Sequence, residues 1–201
     1  MTHDGCVDTQ TLHAYDTGAR GYADDWETQP AGTDLRELVR TYFTPGPTAD
    51  VGCGSGRDTA WLTANGFPTV GLEPSAGLRA EAERRHPEVQ FHDAALPELS
   101  GIAANSFTNV LCETVIMHLE PSAVAPAVRR LVDILKPGGV LYLTWRISTT
   151  DQRDDAGRLY AAVGATAVKE AVGSSELLLD EEVTSASSGR TIHRLIARKR
   201  S

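Results

Sequence analysis

The sequence predicts an α/β fold in which helices cover both faces of a parallel sheet. Segments typical of strands and of helices alternate five times between residues 48 and 145, as they do in parallel sheets. A glycine cluster follows the first predicted strand, and the length of 201 residues suits one domain. We therefore expect a helical cap, residues 1–45, and a core, residues 46–201, that together form one domain.

The elements of this fold follow from local patterns. Apolar residues at helical spacing predict a helix over residues 9–29, and a second short helix over residues 34–43 precedes a Pro45-Gly46-Pro47 turn. Ser75 is a good cap for a later helix. The predicted strands are 48–51, 68–72, 89–92, 108–113 and 140–145, and the helices between them are 57–65, 75–86 and 121–135.

The C-terminal part carries three further predicted elements. Apolar residues at helical spacing predict a helix over residues 154–172, and a strand follows over residues 176–182. Side chains alternate in character over residues 191–198, which predicts a closing strand. No internal repeat and no long linker divides the chain.

The composition excludes several classes of partner. Lys and Arg number 19 against 27 Asp and Glu, so the formal net charge of −8 argues against a nucleic-acid partner. A polar N-terminus and the lack of an apolar run of about 18 residues predict no membrane partner and a cytoplasmic protein. Three widely spaced cysteines, and a His92 and His118 pair without a third ligand, predict no disulfide framework and no metal site.

The most informative segment is the glycine loop, which runs from Asp50 to Gly56 with the sequence Asp-Val-Gly-Cys-Gly-Ser-Gly. Glycines at this place let a ligand approach the main chain. The spacing is Gly-x-Gly-x-Gly, which differs from the Gly-x-Gly-x-x-Gly of dinucleotide enzymes. Asp50 would repel a pyrophosphate and attract the ammonium and sulfonium groups of S-adenosylmethionine. The alternative is a plain strand-to-helix turn that binds nothing.

Two further acids follow the next predicted strands. Glu73 lies where a carboxylate can accept hydrogen bonds from ribose hydroxyls, and Asp93 lies where one can accept from an adenine amino group. Each has a simpler alternative, a solvated Glu in a turn and an Asp that bonds its own loop. Ligands of open α/β sheets bind at the carboxyl ends of strands, so three acids at successive strand ends favour a cofactor site.

With these residues in place, the chain resembles the class I S-adenosylmethionine-dependent methyltransferases. The glycine loop resembles their first motif, Glu73 matches the acid after their second strand, and Asp93-Ala94 matches their adenine-contacting pair. Residues 135–141, Leu-Lys-Pro-Gly-Gly-Val-Leu, resemble the turn before their fifth strand. The resemblance covers roughly residues 14 to 146. It implies a Rossmann-like, doubly wound sheet of seven strands in three α/β/α layers, in which only the last strand is antiparallel.

The resemblance also implies the cofactor and the residues that hold it. The cofactor is S-adenosylmethionine, with S-adenosylhomocysteine as its product. Aromatic residues of the N-terminal helix would cover it, and Arg20 would bind its carboxylate, although these aromatics could instead simply pack on the sheet. The predicted cofactor-binding residues are Tyr15, Arg20, Tyr22, Asp50, Gly52, Gly54, Glu73, Pro74, Asp93, Ala94 and Glu113.

Two departures from the family pattern bear on function. Asn109 stands where many relatives have Asp, and we expect the fold and cofactor binding to be retained. The chain has no Asn/Asp-Pro-Pro-aromatic motif after the fourth strand. That motif marks enzymes that methylate amino groups of nucleobases or of glutamine, so its absence argues against those substrates.

The residues expected at the reaction lie after the fourth and fifth strands. Positioning a nucleophile in line with the methyl–sulfur bond can supply about 7–11 kcal/mol, so a protein base is optional. His118 is the candidate base, or it shapes the pocket by bonding a carbonyl. Glu113 would orient the acceptor or line the cofactor site. Arg146 would bind an acidic substrate, or it is a surface residue; Tyr15 and His118 would also contact the substrate.

The sequence therefore predicts a methyltransferase that acts on a small-molecule oxygen, nitrogen or sulfur acceptor by direct in-line transfer. The N-terminal helix and residues 146–160 would form the lid, and the protein would be a monomer or a homodimer. Alternatives are a metalloid-detoxifying methyltransferase, a catalytically inactive cofactor-binding subunit and a nicotinamide-dependent oxidoreductase. The glycine spacing and Asp50 argue against the oxidoreductase.

Overall fold

A computed structural model describes residues 7–29, 33–186 and 188–200. Seven strands form the main sheet in the order β3-β2-β1-β4-β5-β9-β8, and β6 and β7 form a separate hairpin. The strands are β1 Thr48–Val51, β2 Thr69–Leu72, β3 Gln90–His92, β4 Phe107–Glu113, β5 Leu135–Arg146, β6 Gln152–Arg153, β7 Leu159–Tyr160, β8 Glu176–Thr184 and β9 Thr191–Arg198. The helices are α1 Thr9–Thr28, α2 Thr33–Tyr42, α3 Arg57–Ala64, α4 Ala76–Arg85, α5 Pro121–Asp133 and α6 Ala165–Ala171, with a 3₁₀ turn at Ile116–His118.

The direction of the strands confirms the predicted fold class. Strands β1 to β5 are parallel to one another, whereas β9 is antiparallel to both β5 and β8. The last strand therefore runs against the other six, as the sequence predicts. The sheet is a doubly wound, Rossmann-like sheet because its order runs outward in both directions from β1 and β4.

Alternate side chains of the central strands pack against different helices. Val110 and Leu141 belong to the core that α5 and α6 complete, whereas Leu111 and Tyr142 belong to the core that α2 and α3 complete. The two cores lie on opposite faces because successive side chains of a strand point to opposite faces. The result is the predicted three-layer arrangement, and α2 of the predicted cap contributes directly to it. The division into cap and core itself stays a prediction.

Helix α1 is attached to two distant parts of the chain. Asp8 caps its first turn, because its Oδ1 accepts a hydrogen bond from the Thr11 amide at 2.8 Å. The same carboxylate forms an ion pair with Arg153 of β6 at 2.7 Å. Further along α1, the Asp16 carboxylate accepts from the Ser75 hydroxyl at 2.6 Å, just before α4. The helix is thus held against the β6–β7 hairpin at one point and against α4 at another.

The prediction of a helix over residues 154–172 is wrong in its first half. The chain forms the β6–β7 hairpin there, and the helix covers only Ala165–Ala171. Local contacts form the turn between β6 and β7: the Asp154 carboxylate accepts from the Arg158 amide at 2.9 Å, and Gly157 has a φ of 87°. The amide of Leu159 donates to the Thr11 hydroxyl of α1 at 2.8 Å. This long-range contact has no signal in local apolar spacing.

Smaller differences concern element ends. Strand β5 begins at Leu135 rather than at residue 140, and β8 continues to Thr184 rather than ending at residue 182. Ser75 caps α4 as predicted, because its hydroxyl accepts from the Leu78 amide at 3.1 Å. No helix in the described ranges is long and apolar enough to cross a membrane.

The side chain of Asn109 in β4 forms hydrogen bonds with Thr44 and Thr48, and a substitution there tests what these bonds contribute to stability. That side chain is fully buried; its Oδ1 accepts from the Thr44 amide, and its Nδ2 donates to the Thr44 carbonyl and to the Thr48 hydroxyl. Asn109→Asp would remove both donated bonds and place a charge beside a carbonyl. We expect the free energy of unfolding in urea to fall by about 1–3 kcal/mol, the usual cost of unpaired buried groups. The matched control is Gln90→Glu on the exposed side of β3, and equal stability of the two variants would contradict the prediction.

Candidate functional site

A cavity of about 430 Å³ opens at the carboxyl ends of β1, β2, β4 and β5. Helix α1 and the β6–β7 hairpin complete its walls. This is the edge of the sheet at which open α/β folds bind ligands. The charged and aromatic residues that line the cavity are Tyr15, Tyr22, Asp25, Trp26, Asp50, Arg57, Asp58, Glu73, Glu113, His118, Arg146, Arg158 and Tyr160.

The glycine loop forms the floor of the cavity. Gly52, Gly54 and Gly56 have φ angles of 72°, 56° and 80°, which are left-handed conformations that other residues rarely adopt. The Gly54 amide donates to Oε2 of Glu73 at 3.0 Å, and the Glu73 Oε1 accepts from the Ser75 amide at 2.9 Å. One carboxylate therefore holds the loop after β1 and the start of α4 together.

Two carboxylates beside this loop are almost fully buried. Asp50 is 4% exposed and accepts from the Thr59 hydroxyl at 2.7 Å, and Glu73 is 6% exposed. Burial raises the pKa of Asp50 from its ordinary 3.8 to about 7. Burial also raises the pKa of Glu73 from 4.5 to about 7, against the lowering effect of its two backbone hydrogen bonds.

Glu113, at the end of β4, adds a third carboxylate. Burial raises its pKa well above the ordinary value, and the nearby Asp58 carboxylate raises it further. None of Asp50, Glu73 and Glu113 forms an ion pair with a basic residue in the described ranges. Carboxylates that are buried without a cation favour a positively charged ligand, because such a ligand offsets the cost of their ionisation.

Aromatic side chains from one face of α1 form the opposite wall. The rings of Tyr15 and Tyr22 lie 5.2 Å apart, and those of Tyr22 and Trp26 are stacked at 5.8 Å. These residues share a face because 7 and 11 residues are close to whole helical turns. They present flat apolar surfaces to the cavity above the glycine loop.

Both ring nitrogens of His118 are engaged. Nδ1 lies 2.6 Å from the Leu159 carbonyl oxygen, which can only accept, so Nδ1 carries the hydrogen. Nε2 lies 3.0 Å from the Tyr15 hydroxyl and therefore accepts from it in the neutral ring. Burial lowers the pKa of His118 from 6.5 to about 4, so the ring is neutral at neutral pH. His118 thus fixes the position of the Tyr15 hydroxyl.

Two arginines lie on the β5 side of the cavity. The Arg158 guanidinium lies 4.7 Å from the ring centre of Tyr22 and 5.3 Å from that of Tyr15, and it pairs with Asp154 at 2.7 Å. The Arg146 guanidinium lies 4.5 Å from the ring centre of Tyr160. Both arginines are close enough to His118 that their charges contribute to lowering its pKa.

The structure brings most of the predicted site residues together. Those that line the cavity are Tyr15, Tyr22, Asp50, Gly52, Gly54, Glu73, Pro74, Ala94, Glu113, His118 and Arg146. Arg20 and Asp93 are not among the lining residues. The Arg20 side chain is 83% exposed and pairs with Asp24 of its own helix, and the Asp93 side chain is 53% exposed and lies 3.7 Å from Arg79.

Helical geometry explains the position of Arg20. Five residues after Tyr15 is nearly one and a half turns, so Arg20 lies on the opposite side of α1 from Tyr15 and Tyr22. The same geometry identifies Trp26, which the sequence analysis placed on the helix but not in the site. Arg158 and Tyr160 belong to the segment 146–160 that was predicted to form the lid, and both line the cavity. They were not named individually, because the predicted helix over residues 154–172 hid the hairpin that carries them.

Comparison with known proteins agrees with this geometry. A sequence family described as a methyltransferase domain matches residues 49–143. The matched segment is slightly less than half of the chain, and over that segment the chain is similar to the methyltransferases of this family. Its matched segment contains the glycine loop and the four strands β1 to β4, together with most of β5, so the family's sequence pattern covers the floor of the cavity.

Two curated proteins that are similar to this chain are informative. A trans-aconitate 2-methyltransferase from Methylobacterium nodulans is 33% identical over 122 residues, which are 58% of this chain and 44% of that protein. A dTDP-3-amino-3,6-dideoxy-alpha-D-glucopyranose N,N-dimethyltransferase from Streptomyces fradiae is 34% identical over 131 residues, 63% of this chain and 49% of that protein. The chain thus spans less than half the length of these relatives.

A solved structure shares the fold over nearly the whole chain. It is the 1,6-didemethyltoxoflavin-N1-methyltransferase of Burkholderia thailandensis with bound 1,6-didemethyltoxoflavin and S-adenosylhomocysteine. The TM-score is 0.75 at 20% identity, and the match covers 96% of this chain and 88% of that one. This similarity shows that the two proteins share a fold.

The raised pKa values predict how stability without ligand depends on pH. The folded state keeps protons on Asp50 and Glu73 between about pH 4 and pH 7, where the unfolded chain has released them, so both groups lower stability as pH rises. The lowered pKa of His118 acts in the opposite direction, so a variant must be compared with the wild type. We expect Asp50→Asn to gain stability relative to the wild type as pH rises from 4 to 7.

Urea denaturation at a series of pH values measures this difference. Asn at position 50 can still accept from Thr59, so the comparison isolates the loss of the titrating group. Glu83→Gln on the exposed side of α4 is the control and should run parallel to the wild type. An Asp50→Asn curve that is also parallel would show that Asp50 ionises normally in the folded protein.

Proposed function

We propose that this protein transfers a methyl group from S-adenosylmethionine to an oxygen, nitrogen or sulfur atom of a small molecule. The observation that carries the proposal is a group of three carboxylates around a glycine loop with left-handed backbone: Asp50 and Glu73 are buried, and Glu113 is half-buried. The match of residues 49–143 to a methyltransferase-domain family supports it. The cytoplasmic location and the monomeric or homodimeric state stay predictions.

The residues of the cavity fit the proposed cofactor in charge and in size. S-adenosylmethionine carries an ammonium and a sulfonium, and the carboxylates provide the opposite charge. The cavity volume of about 430 Å³ lies within the usual range of small-ligand sites, about 300–1,000 Å³. When bound, the cofactor supplies a methyl group that is already activated by its positive sulfur.

Each half of the cofactor would have its own set of residues. Glu73 would accept from the ribose hydroxyls, because each of its oxygens accepts only one backbone hydrogen bond and retains further capacity. Pro74, Asp93 and Ala94 would border the adenine. Asp50, Gly52, Gly54 and Glu113 would surround the amino-acid part, with Tyr15 and Tyr22 as the cover. Arg20 is outside this proposal because it lies on the far side of α1.

The chain's own contribution to the reaction would be positioning. The Tyr15 hydroxyl is held by a neutral His118, whose Nε2 is already occupied, and this supports a positioning role for His118 rather than that of a base. A fixed hydroxyl and fixed aromatic rings can orient an acceptor in line with the methyl group, and orientation alone lowers a barrier substantially. Small molecules named for the relatives, an aconitate and an amino sugar, agree with a small acceptor.

Glu73→Ala tests the cofactor site. The change removes the carboxylate and also the link between the glycine loop and α4, so we expect S-adenosylhomocysteine affinity to fall by a factor of about 100 or more, as for loss of a charged hydrogen-bond partner. Isothermal titration calorimetry measures the affinity. Glu83→Ala on the exposed side of α4 is the matched control. If the wild type binds neither S-adenosylmethionine nor its product, the proposed function is wrong.

Tyr15→Phe and His118→Ala, singly and together, test the role of His118. If His118 only positions the Tyr15 hydroxyl, each variant should lower kcat by a similar factor, and the double variant should be no slower than either. If His118 were the base, the pH profile of kcat would show an inflection near pH 6.5 in the wild type, and this inflection would disappear in His118→Ala. We expect no such inflection. The assay is release of S-adenosylhomocysteine with an acceptor found by screening. A much larger loss in His118→Ala than in Tyr15→Phe would assign His118 as the base.

A further inference from the structure

The charges in the cavity are separated in space. Three of its carboxylates, those of Asp50, Glu73 and Glu113, lie at the ends of β1, β2 and β4. Arg146 lies at the end of β5, and Arg158 lies on the hairpin beside it. Because the sheet order is β2-β1-β4-β5, the cavity has an acidic side and a basic side. The positive groups of the proposed donor would be attracted to the acidic side, which leaves the basic side for an anionic molecule.

Arg146 is the arginine of the cavity that lacks a carboxylate partner. Arg57 pairs with Asp58 at 3.1 Å, and Arg158 pairs with Asp154 at 2.7 Å. Within the described ranges, the Arg146 side chain has neither an ion pair nor a hydrogen bond, and its guanidinium lies over the face of the Tyr160 ring, 4.5 Å from the ring centre. It is only half-buried, so its five N–H donors remain available to a ligand.

A second cavity of about 560 Å³ adjoins the first at the same point. Arg146 and Tyr160 line both cavities, so they lie where the two meet. The second cavity also contains Arg190, which has no carboxylate partner in the described part of the chain, and Arg153, which pairs with Asp8. An elongated molecule could therefore extend from the second cavity past Arg146 toward Tyr15.

We propose that the methyl acceptor is an anionic small molecule whose carboxylate, phosphate or sulfate group binds Arg146, with Arg190 contributing from the second cavity. This inference rests on the proposed function and names the class of its acceptor. Arg146 can hold a carboxylate or phosphate with two parallel hydrogen bonds. The stack on Tyr160 orients the guanidinium before the anion arrives, which lowers the entropic cost of binding.

The proposal agrees with the state of the neighbouring groups. Arg146 and Arg158 lie beside a neutral His118. Among the described residues that line this side of the cavity, the one carboxylate is Asp154, which Arg158 neutralises. The acidic side repels the anion and the basic side repels a cation. This arrangement would discriminate between donor and acceptor and would keep each in its own half.

The binding experiment uses the full chain with saturating S-adenosylhomocysteine and three probes, namely citrate, inorganic phosphate and sulfate. Calorimetric titration at low ionic strength should show saturable binding of at least one probe, and the strongest probe identifies the kind of anion. We expect Arg146→Gln to weaken that binding about tenfold or more, as for loss of a charge-assisted hydrogen bond. Arg190→Gln should have a smaller effect, because its side chain is exposed to solvent.

Arg129→Gln, on the exposed side of α5 and outside both cavities, is the matched control and should bind as the wild type does. S-adenosylhomocysteine affinity must be unchanged in Arg146→Gln, which shows that the variant is folded. If the S-adenosylhomocysteine affinity of Arg146→Gln differs from that of the wild type, Arg146→Lys is used instead. Arg146→Lys should lose most affinity for the probe that needs two parallel bonds.

The outcomes separate the two proposals. Cofactor binding without binding of any anion, or anion binding that Arg146→Gln leaves unchanged, overturns this inference and leaves the proposed function standing. Absence of cofactor binding in the wild type overturns both. A screen in which the protein methylates neutral acceptors, with a KM that Arg146→Gln does not alter, would also overturn the inference.

Discussion

The carboxylate of Glu73 is the group on which the rest of the site depends, because it accepts hydrogen bonds from two separate backbone segments. The Gly54 amide belongs to the loop after β1, and the Ser75 amide belongs to the turn that begins α4. Buried backbone donors need partners, and here one side chain satisfies two of them. The same bonds hold the loop in the left-handed conformation that only glycine adopts easily.

This arrangement leaves negative charge in a poorly solvated place. Asp50 and Glu73 share the cavity edge with Glu113, and burial opposes the ionisation of all three. Apolar residues in place of these carboxylates, or cations paired with them, would make the fold more stable. The absence of paired cations in the described residues therefore indicates a site that is completed by its ligand. The sheet order places the arginines on the other side, so the fold itself separates the two signs of charge.

Much of this fold could be predicted from the sequence, because its parallel strands and covering helices leave clear local patterns. The closing strand β9 was predicted with its observed bounds, Thr191–Arg198. The β6–β7 hairpin was not, because contacts with Thr11 and His118, far away in the chain, determine its conformation. Long-range contacts of this kind override local apolar spacing.

The candidate site could also be predicted only in part from the sequence. Asp50 and Glu73 could be placed in one cavity, since parallel strands bring their carboxyl ends to one edge. Asp93, the third predicted acid, is not among the lining residues. Arg158 could not be placed there, because its position depends on the hairpin. The role of His118 depends on two hydrogen-bond partners, Tyr15 and Leu159, that no motif indicates. Arg20 could have been excluded from helical geometry alone, since Tyr15 and Tyr22 define the opposite face of α1.

The double attachment of α1 has a thermodynamic consequence. One end of the helix is tied to the hairpin through Asp8 and Arg153, and its middle is tied to α4 through Asp16 and Ser75. Two ligands in the two halves of the cavity would therefore both contact the same rigid helix, α1. Any ligand that stabilises α1 in this position makes the second binding event less costly. Linkage requires this cooperativity to be mutual, so each ligand would raise the affinity for the other by the same factor.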